Sequence, residues 1–543
     1  MSSNKKYWKS VGELNQDNSS VVEALKHKEF VEEIPVDEFL GDKKTLESSS
    51  TTRRDFLKYV GFSTAAASLA ACEGPVIKSI PYVVQPDQII PGVANYYATA
   101  IANGFDFASI LVKTREGRPI KIENNDLAGA NGAANARVQA SVLDLYDSLR
   151  VAGPKKDGED ISWDDFEAEI AQKLSVLKTN GKDIVLLTQT FASPSTSKLI
   201  SEFKENYGNV RHVVYDAISE STAIDAYQKV YGERGLASYD FSNASTLVSI
   251  GADFLGDWQG GGFGPGYAKG RIPENGKMSR HIQFESNMTL SGANADKRVP
   301  LTPSQQKVAL AKLYGKITGQ SVSGSLPAHI DEAVAMAASE ISKAGSKAVV
   351  VTGINDVNAQ TLVLAINKAI GSKAFYPETP IKVRQGDDKA VAKLIADMNA
   401  GTVGAILMSG VNPLYTLPNA SDFADGLEKT DLTVAFSMKE DETASQVQYV
   451  AATPHYLESW GDLEIKKGQF VLTQPAIRPL FGTKQFQEVI LSLNGNDVSY
   501  HDYIKENWSS NILNGTAWSK ALHDGVFIGS TSVDVETTEE SET

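Results

Sequence analysis

The chain has 543 residues and a mass of 58.5 kDa, enough for about three or four domains at roughly 150 residues each. Its 42% hydrophobic and 22% charged content is ordinary for a globular protein and excludes disorder, collagen or coiled coil as a description of the whole. The net charge is −15, from 52 Lys and Arg against 67 Asp and Glu, and no dense basic block interrupts it. Nucleic acid is thereby excluded as a partner, since phosphate binding needs a concentrated basic face.

Cysteine and histidine usage is more restrictive. Cys72 is the only cysteine, so the chain closes no internal disulfide and supplies neither the thiolates of an iron–sulfur cluster nor those of a structural zinc site. The seven histidines are His27, His212, His281, His329, His455, His501 and His523, and no two stand at helical metal-ligand spacing. A metal site assembled from distant residues stays open.

In chain order, residues 1–52 read as an extended polar leader with one amphipathic piece, 21–30. It serves either as a folding check before export or as a binding strap. Residues 53–72, RRDFLKYVGFSTAAASLAAC, place the pair Arg53 and Arg54 before an uncharged, Ala/Ser-rich stretch too short for an ordinary membrane span. This pattern is that of a twin-arginine export signal ending in a lipoprotein box, with Cys72 as the lipid attachment site. The alternative is an amphipathic helix ending in a buried thiol. Prolines make 75–92 an extended strap. Residues 109–125 alternate β-formers around Glu116-Gly117 and predict a hairpin. A helix is expected over 140–150, and another after Ser162, a plausible N-cap with Asp165 three residues on. Strand-like apolar runs follow at 183–189, 211–217, 245–253, 280–286, 347–353, 404–410, 432–438 and 447–453, with helical segments between, such as 359–371. This alternation predicts an α/β protein: two doubly wound parallel-sheet domains preceded by a small β-rich domain. The last residues are acidic and polar and read as a tail.

Several of these segments, in order, resemble the molybdopterin oxidoreductases: GRPIKIENN (117–125), LYDSLR (145–150), ISWDDFEAEI (161–170), SIGADFLGDW (249–258), SGVNPLYTLP (409–418), the stretch 441–464 and QPAIRPLF (474–481). Physical reading agrees for two of them. IGAD and SGVNP end predicted parallel strands, where doubly wound sheets bind ligands, and Gly251 and Gly410 permit close backbone approach. The resemblance makes Gly251, Asp253, Gly410 and Asn412 vestigial cofactor loops. It also implies a division into 1–52 (leader), 53–72 (signal), 73–150 (strap and a degenerate iron–sulfur β-domain), 151–335 and 336–510 (two α/β domains) and 511–543 (acidic tail or linker).

The chain departs from that family at its chemistry. Alignment on LYDSLR sets Asn135 where the last cluster cysteine would stand, and 99–113 lacks cysteine altogether. No cysteine is placed to hold molybdenum; Ser193 and Ser195 are the nearest hydroxyl candidates. The long leader, 81–99, 239–258 and 455–462 resemble one branch, the large B subunit of bacterial alternative complex III, a quinol-oxidising respiratory complex. That likeness implies a scaffold with no catalytic residue, no cofactor and no metal of its own. Iron–sulfur clusters and haem c belong to its partners or to a continuation of the subunit. The implied partners are a ferredoxin-like iron–sulfur module, multihaem cytochrome c subunits, quinol-oxidising membrane subunits and a terminal oxidase, with the body lipid-anchored on the periplasmic side of the inner membrane. The competing readings are an active molybdenum enzyme with a Ser or Asp ligand, and a solitary lipoprotein binding a nucleotide-like ligand. His455, Glu458 and Asp462 suggest an acid/base group, but in a cleft without cofactor such groups satisfy one another or a partner. Trp258 and Trp460 read as packing or interface residues, and GGGFG (260–264) lacks the lysine of a phosphate loop.

Overall fold

The computed structural model describes residue 90 and residues 92–529, apart from 133, 274 and 275. Arg53, Arg54, Cys72, the leader and almost all of the 75–92 strap therefore lie outside the described residues.

Strands β1 (Asn95–Ala102), β2 (Phe107–Arg115) and β3 (Arg118–Asn124) form an antiparallel three-stranded sheet in that order. The expected hairpin is β2–β3, with Glu116 and Gly117 both at positive φ in its turn. The segment expected to be one helix over 140–150 is instead a short helix, Ala136–Ala140, followed by a 3-10 helix, Ser141–Tyr146. The tighter winding keeps Val142 and Leu145 three residues apart on the buried side.

Next come β4 (Lys155–Lys156), β5 (Glu159–Asp160), β6 (Asp183–Thr188) and β7 (Val210–Val214). Ser162 caps the helix Trp163–Asn180, accepting from the Asp165 amide. The chain then leaves for β8 (Leu236–Tyr239), β9 (Thr246–Ile250), β10 (Arg280–Glu285), β11 (Lys297–Pro300), β12 (Ala348–Thr352) and β13 (Phe375–Ile381). It returns as β14 (Val403–Ser409), β15 (Leu432–Ser437) and β16 (Tyr449–Ala452), and ends with β17 (Gly461–Lys466), β18 (Gln469–Thr473) and β19 (Val526–Ile528).

The sheets regroup these strands. One sheet of four is parallel, in the order β11-β10-β9-β12. One of seven runs β5-β4-β16-β15-β14-β6-β7, parallel from β16 to β7. A third, antiparallel, runs β19-β18-β17-β13-β8. The two parallel sheets therefore do not divide at 335/336. β12 belongs with β9, and β14 sits between β6 and β15, because the four-stranded sheet is an excursion of the chain between β7 and β14. Nor is 511–543 all tail: helix Trp518–Asp524 and β19 are ordered, with Ala521 buried and Trp518 and Phe527 packed on the large core.

The continuous apolar runs are explained by cover on both faces. In β6, Ile184 and Leu186 face a core with Phe166, Phe203 and Trp508, whereas Val185 and Leu187 face another with Leu394, Met398 and Phe423. In β12, Val350 points to Leu310 and Ile341, and Val349 and Val351 point to Phe241 and Phe254.

Candidate functional site

A cleft of about 530 Å³ opens at the carboxyl ends of β6, β14, β15 and β16, closed over by the end of β1, the start of β17 and residues 485–487. This is where a doubly wound sheet places its ligand site. Gly410 and Asn412 line it; Gly251 and Asp253 do not.

The cleft's own side chains fill its reactive positions. Gln189, just past β6, is wedged between two glycines at positive φ. A Cβ on Gly410 (φ 68°) would come within 2.5 Å of its Cδ, and one on Gly104 (φ 79°) within 2.8 Å of its Oε1. Asn412 accepts from the Thr443 amide and hydroxyl at 3.2 and 2.7 Å and donates to Glu442 at 2.7 Å, tying the β14 loop to the β15 loop.

Asp462 is the most heavily engaged group. Its carboxylate accepts from the Ser193 and Ser195 hydroxyls, each at 2.5 Å, and from Trp508 Nε1 at 2.8 Å. Burial pushes its carboxyl above the usual range despite these donors, because none of them is charged. Asn507 donates to Ser195 at 2.9 Å. Both serines considered as metal ligands thus commit their protons to Asp462.

Glu458 and His455 have other partners. Arg150 grips Glu458 with both terminal nitrogens, at 3.2 and 2.5 Å, and both side chains are fully buried. The amides of His455 and Leu480 also donate to Glu458, at 2.8 and 2.9 Å. Burial opposes the Glu458 charge, but Arg150 and these amides outweigh it and hold the carboxyl below its ordinary range. His455 Nδ1 accepts from the Leu457 amide, so its Nε2 carries the proton facing the Ser141 carbonyl at 3.1 Å. Burial lowers its pKa to about 4, leaving the ring neutral. No side-chain-to-side-chain hydrogen bond joins His455, Glu458 and Asp462: His455 and Glu458 together cap the 3-10 turn Tyr456–Glu458, the Glu458 carboxylate accepting from the His455 amide, and Asp462 bonds elsewhere.

The loops at the other parallel sheet are packed on protein. A Cβ on Gly251 would meet Gln306 Oε1 at 2.8 Å, and Asp253 accepts from the Ser291 amide at 2.9 Å. Behind them runs a buried chain, Tyr267–His281–Gln283–Glu285, ended by Arg298.

At the expected position of the degenerate cluster, Asn135 caps the helix Ala136–Ala140 and donates to Asp106 at 2.8 Å. Arg137 bonds both Asp106 oxygens at 3.0 Å and reaches Asp257 at 3.1 Å. Arg384, 1% exposed, donates to the carbonyls of Gly104, Phe105 and Val383 and stands 4.6 Å from the Phe105 ring centre. Sequence reasoning missed Gln189, Arg150, Asp106, Arg137 and Arg384. Only Arg150 carried a signal, as the last residue of LYDSLR.

This donor set does not fit the groups the fold family carries. No trio of His, Cys, Asp or Glu able to hold a metal occurs among the described residues. Ser193, which lines the cleft, and Ser195 beside it bond Asp462, Gln189 fills the glycine approach, and an arginine–carboxylate pair, Arg137 with Asp106, stands beside Asn135.

No family model matches the chain. It is 23% identical over 505 residues to the "Menaquinone reductase, molybdopterin-binding-like subunit" of Nitratidesulfovibrio vulgaris, a match covering 82% of this chain and 72% of that protein. Its structure superposes on acetylene hydratase from Pelobacter acetylenicus with a TM-score of 0.60 at 14% identity, over 80% of this chain and 74% of that one. The fold is molybdopterin-oxidoreductase-like. The expected class, parallel α/β sheets preceded by a small β-rich region, holds.

Proposed function

We propose that this chain is a non-catalytic structural subunit of a membrane-bound quinone or quinol oxidoreductase complex of the alternative complex III type. It is a molybdopterin-oxidoreductase-like body that bears on iron–sulfur and cytochrome c subunits without carrying a cofactor of its own. The observation that carries this reading is the cleft: it stands where the fold places its ligand, yet its hydroxyls, carboxylates and glycine loops are bonded to one another. The likeness to a menaquinone reductase subunit supports the quinone complex. The RRDFLK signal and Cys72 support export and lipid anchoring at the periplasmic face of the inner membrane, where the partner subunits would meet it.

The test is to isolate the complex through the full chain and measure molybdenum, pterin, iron and haem, together with the intact mass of the subunit. The expected result is haem and iron in partner subunits, no molybdenum or pterin, and an acylated N-terminus at Cys72. Molybdenum near one per chain would overturn the non-catalytic reading, and a chain that isolates alone would overturn the subunit reading.

A further inference from the structure

One face of the described body is apolar, exposed and bordered by cations without counter-charges. Leu143 and Tyr146 stand three apart on the 3-10 helix Ser141–Tyr146, where such residues eclipse. They are 69% and 53% exposed, and Leu149, just past the extended Asp147 that ends the helix, is 74% exposed. Tyr146 donates to the Pro119 carbonyl at 2.9 Å, which sets the edge strand β3 and its exposed Ile120 alongside. On the other flank the Arg150 guanidinium lies 5.1 Å from the ring centre of Phe481, which is itself exposed. A contiguous patch of this kind, unlike scattered exposed leucines, marks an interaction site.

Arg115, Arg118 and Arg478 are exposed at its border. Arg118 acts electrostatically on Tyr146, and Arg478 is two residues from exposed Leu480. Among the described residues none of these three guanidinium groups forms an ion pair. Every other described arginine is paired with a carboxylate or, for Arg384, held by backbone carbonyls. In a chain of net charge −15, the arginines without a carboxylate or carbonyl partner among the described residues thus stand beside this patch.

Arginine and aromatic residues are the side chains enriched at protein interfaces, and the guanidinium fork matches a carboxylate. A lipid headgroup surface suits the face less well. Asp144, next to Leu143 in sequence and 54% exposed in its side chain, sets a carboxylate 3.8 Å from Lys439 beside the patch; phosphate would meet it, whereas a protein can set its carboxylates against the arginines alone. We infer that this face docks an acidic protein subunit with an apolar centre. The inference rests on the subunit reading above.

The experiment isolates the complex through full-length tagged chains: wild type, Arg115→Glu/Arg118→Glu and Leu143→Asp/Leu149→Asp, with melting curves to verify folding. The expected result is that one subunit falls by about tenfold or more in both variants while the others are retained. Independently, Arg118→Lys in the assembled complex, treated with a carbodiimide, should couple to an Asp or Glu of that same subunit. Unchanged subunit content in both folded variants overturns the proposal. So does coupling to a second copy or to residues 1–89 of the chain itself, and so does binding of the purified chain to vesicles of equal phosphatidylglycerol and phosphatidylethanolamine that the Glu variant loses. If wild type isolates with no partner, the subunit reading falls and this face with it; if partners remain and only these tests fail, the subunit reading stands.

Discussion

Glu458 and Asp462 lie four residues apart, both almost fully buried, and the protein treats them in opposite ways. Glu458 faces a cation, Arg150, and is held down as a carboxylate. Asp462 faces only neutral donors and is pushed up. A buried charge needs a partner, and the kind of partner decides which way acid or alkali moves the fold. The first arrangement fastens the Leu145–Arg150 segment to the loop after β16. The second fastens the serine loop after β6 to β17 and to Trp508.

The largest effect should come from breaking the charged pair. Arg150→Met leaves Glu458 buried and unpaired and should cost about 3–5 kcal/mol in urea unfolding. Adding Glu458→Gln should recover part of that; no recovery would mean the arginine acts by packing alone. Asp462→Ala strips Ser193, Ser195 and Trp508 of their acceptor and should cost about 1–3 kcal/mol by the same measurement.

The pH dependence sharpens the contrast. Glu458, lowered on folding, contributes stability present above about pH 4.3 and lost as pH falls through its folded value. Asp462, raised on folding, does the reverse: stability falls as pH climbs from about 3.9 through its folded value. Across pH 3–8 the melting temperature of Glu458→Gln should therefore fall relative to wild type as pH rises, and that of Asp462→Asn should rise relative to it; differences that change in the same direction would refute the assignment. His455, with its pKa lowered to about 4, adds to the acid side. Between about pH 6.5 and 4 the unfolded chain takes up the proton first, so stability is lost on acidification, and His455→Asn should flatten that limb by about 1–3 kcal/mol.

The smallest effect is expected at the cleft. Gly410→Ala combines positive φ with a 2.5 Å approach to Gln189 and should cost about 1–2 kcal/mol. Gln189→Ala on the same background should relieve the crowding but not the backbone term. Full recovery would mean that φ carries no cost there.

Much of the fold was legible in the sequence because a strand covered on both faces must be apolar throughout. Residues 183–189, 347–353 and 404–410 announced themselves in this way, and Ser162 with Asp165 announced a helix start. The grouping of strands was not legible. Whether β12 pairs with β9 or with β14 is decided by contacts distant in sequence, which leave no local pattern. β17 escaped notice because its apolar residues alternate with charged ones up to the Gly468 turn, and β18 because it is only five residues long. At the site, HYLESWGD stood out as polar, but Arg150 lies 308 positions from Glu458 and nothing in either segment names the other.

The excursion between β7 and β14 has a consequence for synthesis. β6 ends at Thr188, and its central neighbour β14 begins only at Val403. At about 5–20 residues per second, roughly ten to forty seconds separate their emergence from the ribosome. Over that interval the four-stranded sheet has all its strands and can close. β6 has only β7, and its other edge, apolar on both faces, waits in the open. Nascent chains stalled near residue 400 should therefore be far more chaperone-dependent than those stalled past 455.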